Sequence, residues 1–323
     1  MTVQAFSLWP WVEPVPDFSY ASSGLASWPR ISIVTPNYNY DHLIEMTLRS
    51  VLCQGYPNLE YIVIDDGSTD GSMKIIEKYA GQLAYLEHQT NQGQYPAINK
   101  GLARATGEIC AWLNSDDIYL PWTLRTVAQI FAQFPEIDWI IGRSSVMQEG
   151  VVHEIRPFRP FPRVLIKAGV FSQPGDSTFD FIQQESCFWR RSLWEKVGGL
   201  STALRYAADF DLWPRFARHA ELVAVSTVLG GFTMRANQNR SRANRDRYLK
   251  EVQETVDRLR IESEPLAARM KRRLRSCSSY QWLRRRVGEK IATRWLPGED
   301  RFGPTLSWDF IESRYVKRHE TLG

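Results

Sequence analysis

The 323-residue chain is poor in cysteine, and its few cysteines are scattered. They stand at positions 53, 110, 187 and 277, without the paired spacing that metal ligands show. This distribution argues against a disulfide framework and against a zinc site. Most of these residues lie inside apolar segments, so we expect them to be buried as free thiols.

The chain also lacks a long hydrophobic run. A helix that spans a bilayer needs about 20 apolar residues, and no stretch of this sequence approaches that length. The N-terminus has no basic segment followed by a continuous apolar run, which is the pattern of a secretory signal. We therefore expect a cytoplasmic protein.

An excess of one charge is small overall but pronounced in one segment. The formal net charge is only +4, yet the segment from Lys271 to Arg294 is dense in arginine and lysine with almost no acid. A solvated helix face is the simplest interpretation, and peripheral contact with an anionic membrane at its inner face comes next. Nucleic-acid binding through Tyr280 and Trp282 is a less favoured alternative.

Hydrophobic residues make up 43% of the chain and charged residues 24%, which is typical of a globular protein. Its length suits about two domains, although α/β folds of this size often form one unit. Changes in composition predict three segments: an irregular arm rich in Trp, Pro and Ser (1–29), a catalytic domain (30–239) and a basic helical C-terminal extension (240–323).

Short apolar runs alternate with helical patterns from Ile31 onward. The predicted strands cover residues 31–35, 59–64, 83–87 and 108–113, and helices are predicted between them. This alternation predicts an α/β fold in which a mostly parallel sheet is flanked by helices. Because ligands bind beyond the carboxyl ends of such strands, function is expected in the loops after Thr35, Ile64 and Leu113.

The second half of the predicted domain is less regular. Helices are predicted over 121–134 and 208–219, and strands over 139–142, 222–225 and 229–234. Between residues 143 and 181 the alternation breaks down, and many Pro and Phe residues occur there.

Two aspartates directly follow the second predicted strand. Asp65 and Asp66 precede Gly67 and Ser68, and a carboxylate here can accept hydrogen bonds from a base N–H or a ribose hydroxyl. Gly67 would let the backbone approach a ligand closely. An Asp-Gly turn followed by a helix N-cap explains the same residues, so this motif alone does not decide the function.

A second polar loop, Asn114-Ser115-Asp116-Asp117, ends another strand of the same predicted sheet. Its carboxylates should therefore lie near Asp65. Hard divalent cations take oxygen ligands and are usually held by one or two carboxylates together with substrate phosphates, so the pair suits Mg²⁺ or Mn²⁺ bound to a diphosphate. A helix cap is the simpler interpretation of Asp117.

A third acidic cluster, Asp209-Phe210-Asp211, opens a predicted helix. A positioned carboxylate can remove the proton from an attacking hydroxyl, and Asp209 is the candidate for such a general base. The alternative explanation is that the helix macrodipole favours acidic residues in the first turn of any helix.

Together these segments resemble the family 2 glycosyltransferases, an inverting group with a GT-A fold. The resemblance runs from Ile31 to about Asn239, and it depends on the order and spacing of common motifs. Those motifs are residues 34–39 (VTPNYN), 64–70 (IDDGSTD), 99–107 (NKGLARATG), 112–117 (WLNSDD), 184–186 (QES) and 209–213 (DFDLW).

The resemblance implies a set of site residues. Those at the donor nucleotide would be Pro36, Asn37, Tyr38, Asn39, Asp65, Asp66, Gln94, Asn99, Asn114 and Ser115. Asp116, with Asp117 beside it, would hold the metal ion, and Asp209 would be the catalytic base. The acceptor-side or supporting residues would be Gln184, Glu185, Asp211, Trp213 and Arg235. For Glu185, a buried structural carboxylate is the alternative.

The resemblance also implies an activity. A sugar would move with inversion from a nucleoside-diphosphate-sugar, expected to be UDP-linked, to an acceptor hydroxyl. Mg²⁺ or Mn²⁺ at Asp116 would assist departure of the nucleoside diphosphate. The implied partners are the nucleotide-sugar and a saccharide or lipid-linked acceptor, in the synthesis of a bacterial-type surface polysaccharide or glycolipid.

Three positions depart from the pattern of the family. Asn114 stands where many relatives carry the first Asp of the metal motif, and an amide brings no charge to a metal. Ala208 replaces a Glu that often precedes the base. Arg235 stands near a frequent His, and a guanidinium cannot ligate a cation but can clamp a diphosphate.

Two other functions are compatible with parts of the sequence. Asn114 and Ala208 suggest a non-catalytic nucleotide-sugar-binding protein derived from a glycosyltransferase, although the retained aspartates argue against it. A nucleotidyltransferase on a similar sheet is disfavoured, because no glycine-rich basic loop directly follows the first strand.

Overall fold

A computed structural model describes residue 10 and residues 27–143, 145–148, 151–171, 181–235, 244–262, 302–309 and 314–321. The central sheet contains β1 (Ile31–Asn37), β2 (Leu59–Asp65), β3 (Tyr85–His88), β4 (Ile109–Trp112), β6 (Trp139–Arg143), β9 (Cys187–Arg190), β10 (Val223–Val228), β12 (Phe302–Asp309) and β13 (Arg314–Thr321). A smaller sheet contains β5 (Ile118–Tyr119), β7 (Ser145–Gln148), β8 (Val151–Ile155) and β11 (Gly230–Thr233).

The helices are α1 (Ile44–Leu52), α2 (Ser72–Ile76), α3 (Gln94–Arg104), α4 (Thr123–Gln133), α5 (Arg163–Lys167), α6 (Arg191–Val197), α7 (Ala208–Ala217) and α8 (Arg245–Glu262). Two 3₁₀ turns cover Glu77–Gln82 and Gln184–Ser186. No helix in the described ranges is long and apolar enough to span a membrane.

The central sheet has the strand order β13-β12-β10-β6-β9-β4-β1-β2-β3. Strands β1 to β4 pair in parallel, as do β6, β10 and β12, while β9 runs antiparallel between β4 and β6. Strand β1 is buried along its whole length, as expected for a parallel strand covered on both faces. The predicted α/β fold with a mostly parallel sheet and flanking helices is confirmed.

Parallel pairing brings the predicted functional loops to one edge of the sheet. Asn37, the last residue of β1, is the register partner of Asp65, the last residue of β2. Leu113, directly after β4, donates its backbone N–H to Val34 at 2.9 Å, so the loop that follows begins at the same edge. The loops after β1, β2 and β4 therefore converge, as the alternation predicted.

Aromatic side chains fill the core beneath this edge. Trp213 of α7 is buried and stacks on Trp139 and Trp112, with ring centroids 5.4 Å and 6.0 Å away. Helix α3 lies very close to β1, because a Cβ at Gly101 of α3 would be only 2.4 Å from the side chain of Val34 in β1. The helices are thus pressed onto the sheet at the level of the site.

The structure contains strands where the sequence indicated irregular chain. Residues 145–148 and 151–155 form the antiparallel pair β7–β8, within the segment in which the alternation breaks down. Strand β11 joins this pair to β5, which directly follows the acidic loop. The pattern was hidden because the strands are only four or five residues long and belong to a second sheet.

The prediction of a helical C-terminal extension is wrong for residues 302–309 and 314–321. These residues form the hairpin β12–β13, and β12 continues the central sheet in parallel with β10. Leu306 is fully buried, and the Tyr315 hydroxyl lies 2.7 Å from the Thr227 hydroxyl. The basic composition upstream suggested a helix, whereas these residues form strands that pair with β10 and with each other. The basic segment 271–294 and most of the predicted arm lie outside the described residues.

Replacing Leu306 with alanine tests whether the hairpin is part of the core. Loss of a fully buried leucine costs about 2–5 kcal/mol of the free energy of unfolding. Lys317→Ala is the matched control, because Lys317 is exposed and its ion pair with Glu136 is worth at most about 1 kcal/mol. Denaturant titration measures both. Equal stability of Leu306→Ala and the parent protein would contradict docking of the hairpin.

Candidate active site

A hydrogen-bonded row of polar side chains lies across the ends of β1, β2 and β3. Asn37, Asp65 and His88 are register partners, so parallel pairing sets them side by side. Asn37 Nδ2 donates to Asp65 Oδ1 at 2.7 Å, and His88 Nδ1 lies 2.6 Å from Asp65 Oδ2. Ser68 donates to the same carboxylate from its backbone N–H (3.0 Å) and its hydroxyl (2.5 Å). Asp65 is therefore a buried, rigidly held acceptor.

Asp66 holds the loop that leads into α3. Its carboxylate accepts hydrogen bonds from the backbone N–H groups of Gln92 (2.9 Å) and Gly93 (2.7 Å) and from the Gln89 side chain (2.7 Å). A Cβ at Gly67, whose φ is +83°, would lie 3.0 Å from backbone atoms of this loop. The close approach that Gly67 permits is thus to the protein's own backbone.

The loop after β1 is pinned to the loop after β2. The backbone N–H of Asn39 donates to the Ser68 hydroxyl at 2.9 Å, and the Asn39 side chain accepts a hydrogen bond from the Thr69 N–H at 2.8 Å. Tyr38 directly precedes Asn39 and is 46% exposed. The Tyr38 ring is therefore presented to solvent from a fixed backbone.

Asn114 connects the second acidic loop to two neighbouring elements. Its side-chain oxygen accepts a hydrogen bond from Gln94 Nε2 at 2.8 Å, and its amide nitrogen donates to Gln184 Oε1 at 3.0 Å. The same nitrogen lies 3.3 Å from Asp117 Oδ2. An aspartate here could not donate to Asp117, so the amide avoids a further negative charge at a crowded position. Gln184 is itself fixed by a hydrogen bond to the Trp112 carbonyl.

Asp116 forms an ion pair with Arg235. The Nη2–Oδ2 distance is 2.6 Å, and both side chains are 14% exposed. Arg235 also donates to the Tyr40 hydroxyl at 3.0 Å and lies 4.9 Å above the Tyr40 ring centroid. Burial raises the pKa of Asp116, although Arg235 opposes this effect. The preceding residue, Ser115, holds the loop against β1 through a 2.7 Å hydrogen bond to the Pro36 carbonyl.

Asp117 and Glu185 are buried close to Asp116. Asp117 accepts a hydrogen bond from the Thr233 backbone N–H at 3.0 Å. Burial, with the charges of Asp116 and Glu185, holds the pKa of Asp117 well above its usual range. Burial also raises the pKa of Glu185 to about 8, helped by the charges of Asp116 and Asp209. Oε1 of Glu185 is buried and has no hydrogen-bond partner in the described part of the chain.

We call Asp116, Asp117 and Glu185 the acidic cluster. Its three carboxylates outnumber the guanidinium groups of Arg235 and Arg156 that interact with them, so the fully ionised cluster would carry excess negative charge. Across the described residues, no group of three or more His, Cys, Asp or Glu side chains is arranged as a complete metal centre. The oxygen donors and the charge nevertheless fit a hard divalent cation that takes its remaining ligands from a diphosphate.

The two aspartates at the start of α7 have different surroundings. Asp211 accepts a 3.0 Å hydrogen bond from Arg215 Nε on one oxygen and pairs with Arg258 through the other. Oδ1 of Asp209, by contrast, is buried and finds no hydrogen-bond partner among the described residues. Burial raises the pKa of Asp209 to about 6, against the effect of nearby backbone N–H groups. Asp211 is therefore an ion-pair anchor, whereas Asp209 keeps one buried oxygen open.

Two residues of the predicted site, Asn99 and Trp213, make contacts that support the fold. Both ends of the Asn99 amide are bonded to the backbone of Leu200, each at 2.9 Å, so Asn99 anchors the loop after α6. Its position near the base or ribose stays a prediction. Trp213 is buried in the aromatic core, which makes it a support of α7 without access to an acceptor.

The sequence analysis missed several residues whose hydrogen bonds hold this edge together. They are Tyr40, Ser68 (as a hydrogen-bond donor to Asp65), His88, Gln89 and Thr233. His88 had a usable signal, because a polar residue at the end of a predicted strand adjoins the end of the next strand. Thr233 contributes through its backbone N–H, so its side chain gave no signal.

The sheet topology, with the polar loops at one edge, is that of a GT-A type fold. Among solved structures, the chain is similar to S. aureus TarS 1–349 in complex with UDP-GlcNAc, with a TM-score of 0.58 and 20% sequence identity over 82% of this chain and 78% of that chain. At this level of identity the similarity shows the shared fold.

The chain belongs to glycosyl transferase family 2. The family model matches residues 32–195, about half of the chain. This finding confirms the family predicted from the motifs. The match ends before Asp209 and Arg235.

Curated relatives agree with this assignment. An uncharacterized glycosyltransferase of Nostoc sp., alr2836, is 38% identical over 177 residues, which are 52% of this chain and 53% of that protein. The putative teichuronic acid biosynthesis glycosyltransferase TuaG of Bacillus subtilis is 42% identical over 99 residues, 29% of this chain and 38% of that protein. The chain thus matches only about half the length of the first of these relatives, and less of the second.

Replacing Asp209 with asparagine tests its role as base. The amide keeps the size of the side chain but not its basicity, so the transfer rate should fall on the order of 10²–10⁴-fold with donor affinity nearly unchanged. Because the base must be ionised, the parent enzyme should gain activity as pH rises through about 6 and then level off. Asp209→Asn should lose this rise.

Asp211→Asn is the matched comparison. It removes the carboxylate that pairs with Arg215 and Arg258, so it should lower the melting temperature and keep the rise of activity with pH. If Asp211→Asn abolishes transfer while Asp209→Asn works at near the parent rate, the base has been assigned to the wrong residue.

Proposed function

We propose that the protein is an inverting, metal-dependent glycosyltransferase that moves a sugar from a UDP-linked donor to an acceptor hydroxyl. One observation carries this proposal. One buried oxygen of Asp209 has no hydrogen-bond partner among the described residues, and Asp209 interacts electrostatically with Glu185 of the acidic cluster. The acidic cluster is the proposed binding site of the donor diphosphate. A base and a diphosphate site on opposite sides of a sugar are what a single displacement requires.

The proposed reaction is one step. The Asp209 carboxylate takes the proton of the acceptor hydroxyl, and the oxygen attacks the anomeric carbon. The bond between that carbon and the diphosphate oxygen breaks, and the electron pair leaves with the nucleoside diphosphate. Attack opposite to the leaving group inverts the anomeric configuration. A base with a pKa of about 6 is ionised at neutral pH and can still be protonated.

Asp116 and Asp117 are the residues proposed to hold Mg²⁺ or Mn²⁺. When bound, the metal would neutralise charge on the departing diphosphate. Arg235 occupies one oxygen of Asp116 in this structure, so it would share that carboxylate with the cation or turn toward the diphosphate. A planar guanidinium is well suited to the second role.

The donor and pathway are inferred from similarity. The related TarS structure contains UDP-GlcNAc, and the name of TuaG refers to teichuronic acid biosynthesis. These two names support a UDP-linked sugar and a bacterial surface polysaccharide or glycolipid as the acceptor class. The alternative is a non-catalytic nucleotide-sugar-binding protein, and release of nucleoside diphosphate from a panel of nucleotide-sugars separates the two.

The metal site is tested by Asp116→Ala and Asp117→Ala. Each variant should lose metal-dependent donor binding, because each removes a carboxylate that faces the proposed diphosphate. Calorimetry with UDP in the presence and absence of Mn²⁺ measures this loss. Asp138→Ala is the control, since Asp138 is exposed and precedes β6 at the opposite edge of the sheet. Unchanged affinity for UDP with Mn²⁺ in both variants would rule out this site.

The basic segment from Lys271 to Arg294 lies outside the described residues, and its contact with the inner face of an anionic membrane is a proposal from sequence. Each Lys or Arg near such a surface contributes about 1 kcal/mol. Truncation would also remove β12, so the better test replaces the basic residues with glutamine in the full chain. Binding to phosphatidylglycerol vesicles at low salt should fall while donor hydrolysis persists. The proposal fails if the parent protein ignores these vesicles.

A further inference from the structure

Three consecutive backbone N–H groups before α7 point at one carboxylate. Arg205 donates to Oε1 of Glu251 at 2.9 Å, and Tyr206 and Ala207 donate to Oε2 at 2.7 Å and 2.9 Å. Successive N–H groups of this kind form a concave site that favours an anion. The N-cap residue of α7 is Ala207, which has no side-chain acceptor of its own. The acceptor therefore comes from α8, more than forty residues further along the chain.

Apolar contacts hold α8 in this position. One face of α8 presents Tyr248, Val252 and Val256, at the four-residue spacing that places side chains on one stripe. These residues pack against Ala207 and Phe210 at the start of α7, and all five are buried. Because Phe210 adjoins Asp209, this packing reaches the residue next to the proposed base.

The position of Asp209 depends on these contacts. Asp209 lies two residues after Ala207, and no described residue is hydrogen-bonded to its Oδ1. The Asp209 carboxylate interacts with the backbone N–H groups of Asp209 and Phe210 in the first turn of α7. Its direction therefore depends on the start of α7, which the hydrogen bonds to Glu251 hold in place.

The charged and titratable groups that interact with Asp209 come from three elements. They are Glu185 on the 3₁₀ turn, Cys187 on β9, and Tyr248 and Glu251 on α8. The negative charge of Glu251 adds to burial in raising the pKa of Asp209. Removing that charge should therefore lower this pKa.

We propose that Glu251 is a positioning residue for the catalytic base, and that α8, which carries Glu251, is needed for full catalytic activity. Glu251 fixes the backbone at 205–207 so that Asp209 meets the acceptor hydroxyl at the right distance and angle. The inference rests on the proposed function, in which Asp209 is the base. Helix α8 lies outside the family-model match and beyond residue 239, where the sequence predicted the catalytic domain to end.

Glu251→Gln in the full-length protein tests this role. The amide keeps the side-chain size but has one acceptor oxygen and no charge. The kcat should fall on the order of 10–100-fold, since small displacements of a reacting group are that costly, while the KM for the donor stays unchanged. The midpoint of the rise of kcat with pH should move to lower pH. Glu254→Gln, an exposed position on the same helix, should match the parent enzyme in all three measurements.

A second variant, Glu251→Asp, keeps the charge but shortens the reach. It should reduce kcat and leave the pH midpoint unchanged, and it serves as the test if Glu251→Gln does not fold. A variant that loses only melting temperature, with parental kcat and midpoint per folded molecule, would overturn the proposal. The Asp209→Asn result separates the two levels. If Asp209→Asn is fully active, the base assignment fails, whereas an inactive Asp209→Asn with a normal Glu251→Gln refutes the positioning role alone.

Discussion

Burial of several carboxylates at one edge of the sheet is the constraint on which the site depends. Parallel pairing sends the ends of β1, β2 and β4 to the same place, so acids from distant parts of the sequence meet there. Unpaired buried charge is costly. Arg235 beside Asp116 and the Thr233 N–H beside Asp117 offset part of this cost. The raised pKa values of Asp117 and Glu185 favour the neutral carboxyl groups, which lowers the cost further. A bound cation and diphosphate would complete the same compensation.

Hydrogen-bond saturation separates the carboxylates that build the site from those left available. Asp65, Asp66 and Asp211 each accept hydrogen bonds on both oxygens, so they fix strands, loops and helices in place. Glu185 and Asp209 each keep a buried oxygen without a partner in the described chain. A structural anchor is stable because its bonds are complete. A group that must exchange a proton with a substrate needs an oxygen that remains open.

The sequence predicted what local pattern determines. Short apolar runs located β1, β2 and β4, and the polar residues at their ends predicted the converging loops. Contacts between distant segments were not predictable, because no local pattern encodes them. The partner of Asn99 is Leu200, on a loop about one hundred residues away. Likewise, the helical propensity upstream concealed the hairpin β12–β13, whose strand β12 is defined by pairing with β10.

The two sides of the site therefore differ in how they are specified. The proposed donor-side groups, such as Asp65 and Asp116, fall within the family match at residues 32–195, whereas Asp209 and Arg235 lie beyond it. A nucleoside diphosphate always presents the same groups for binding, so short motifs at strand ends can recognise it. An acceptor varies in shape, and recognition of variable ligands depends on loops and appended elements. Since α8 holds the start of α7, this later part of the chain can reshape the acceptor side while the donor edge stays fixed.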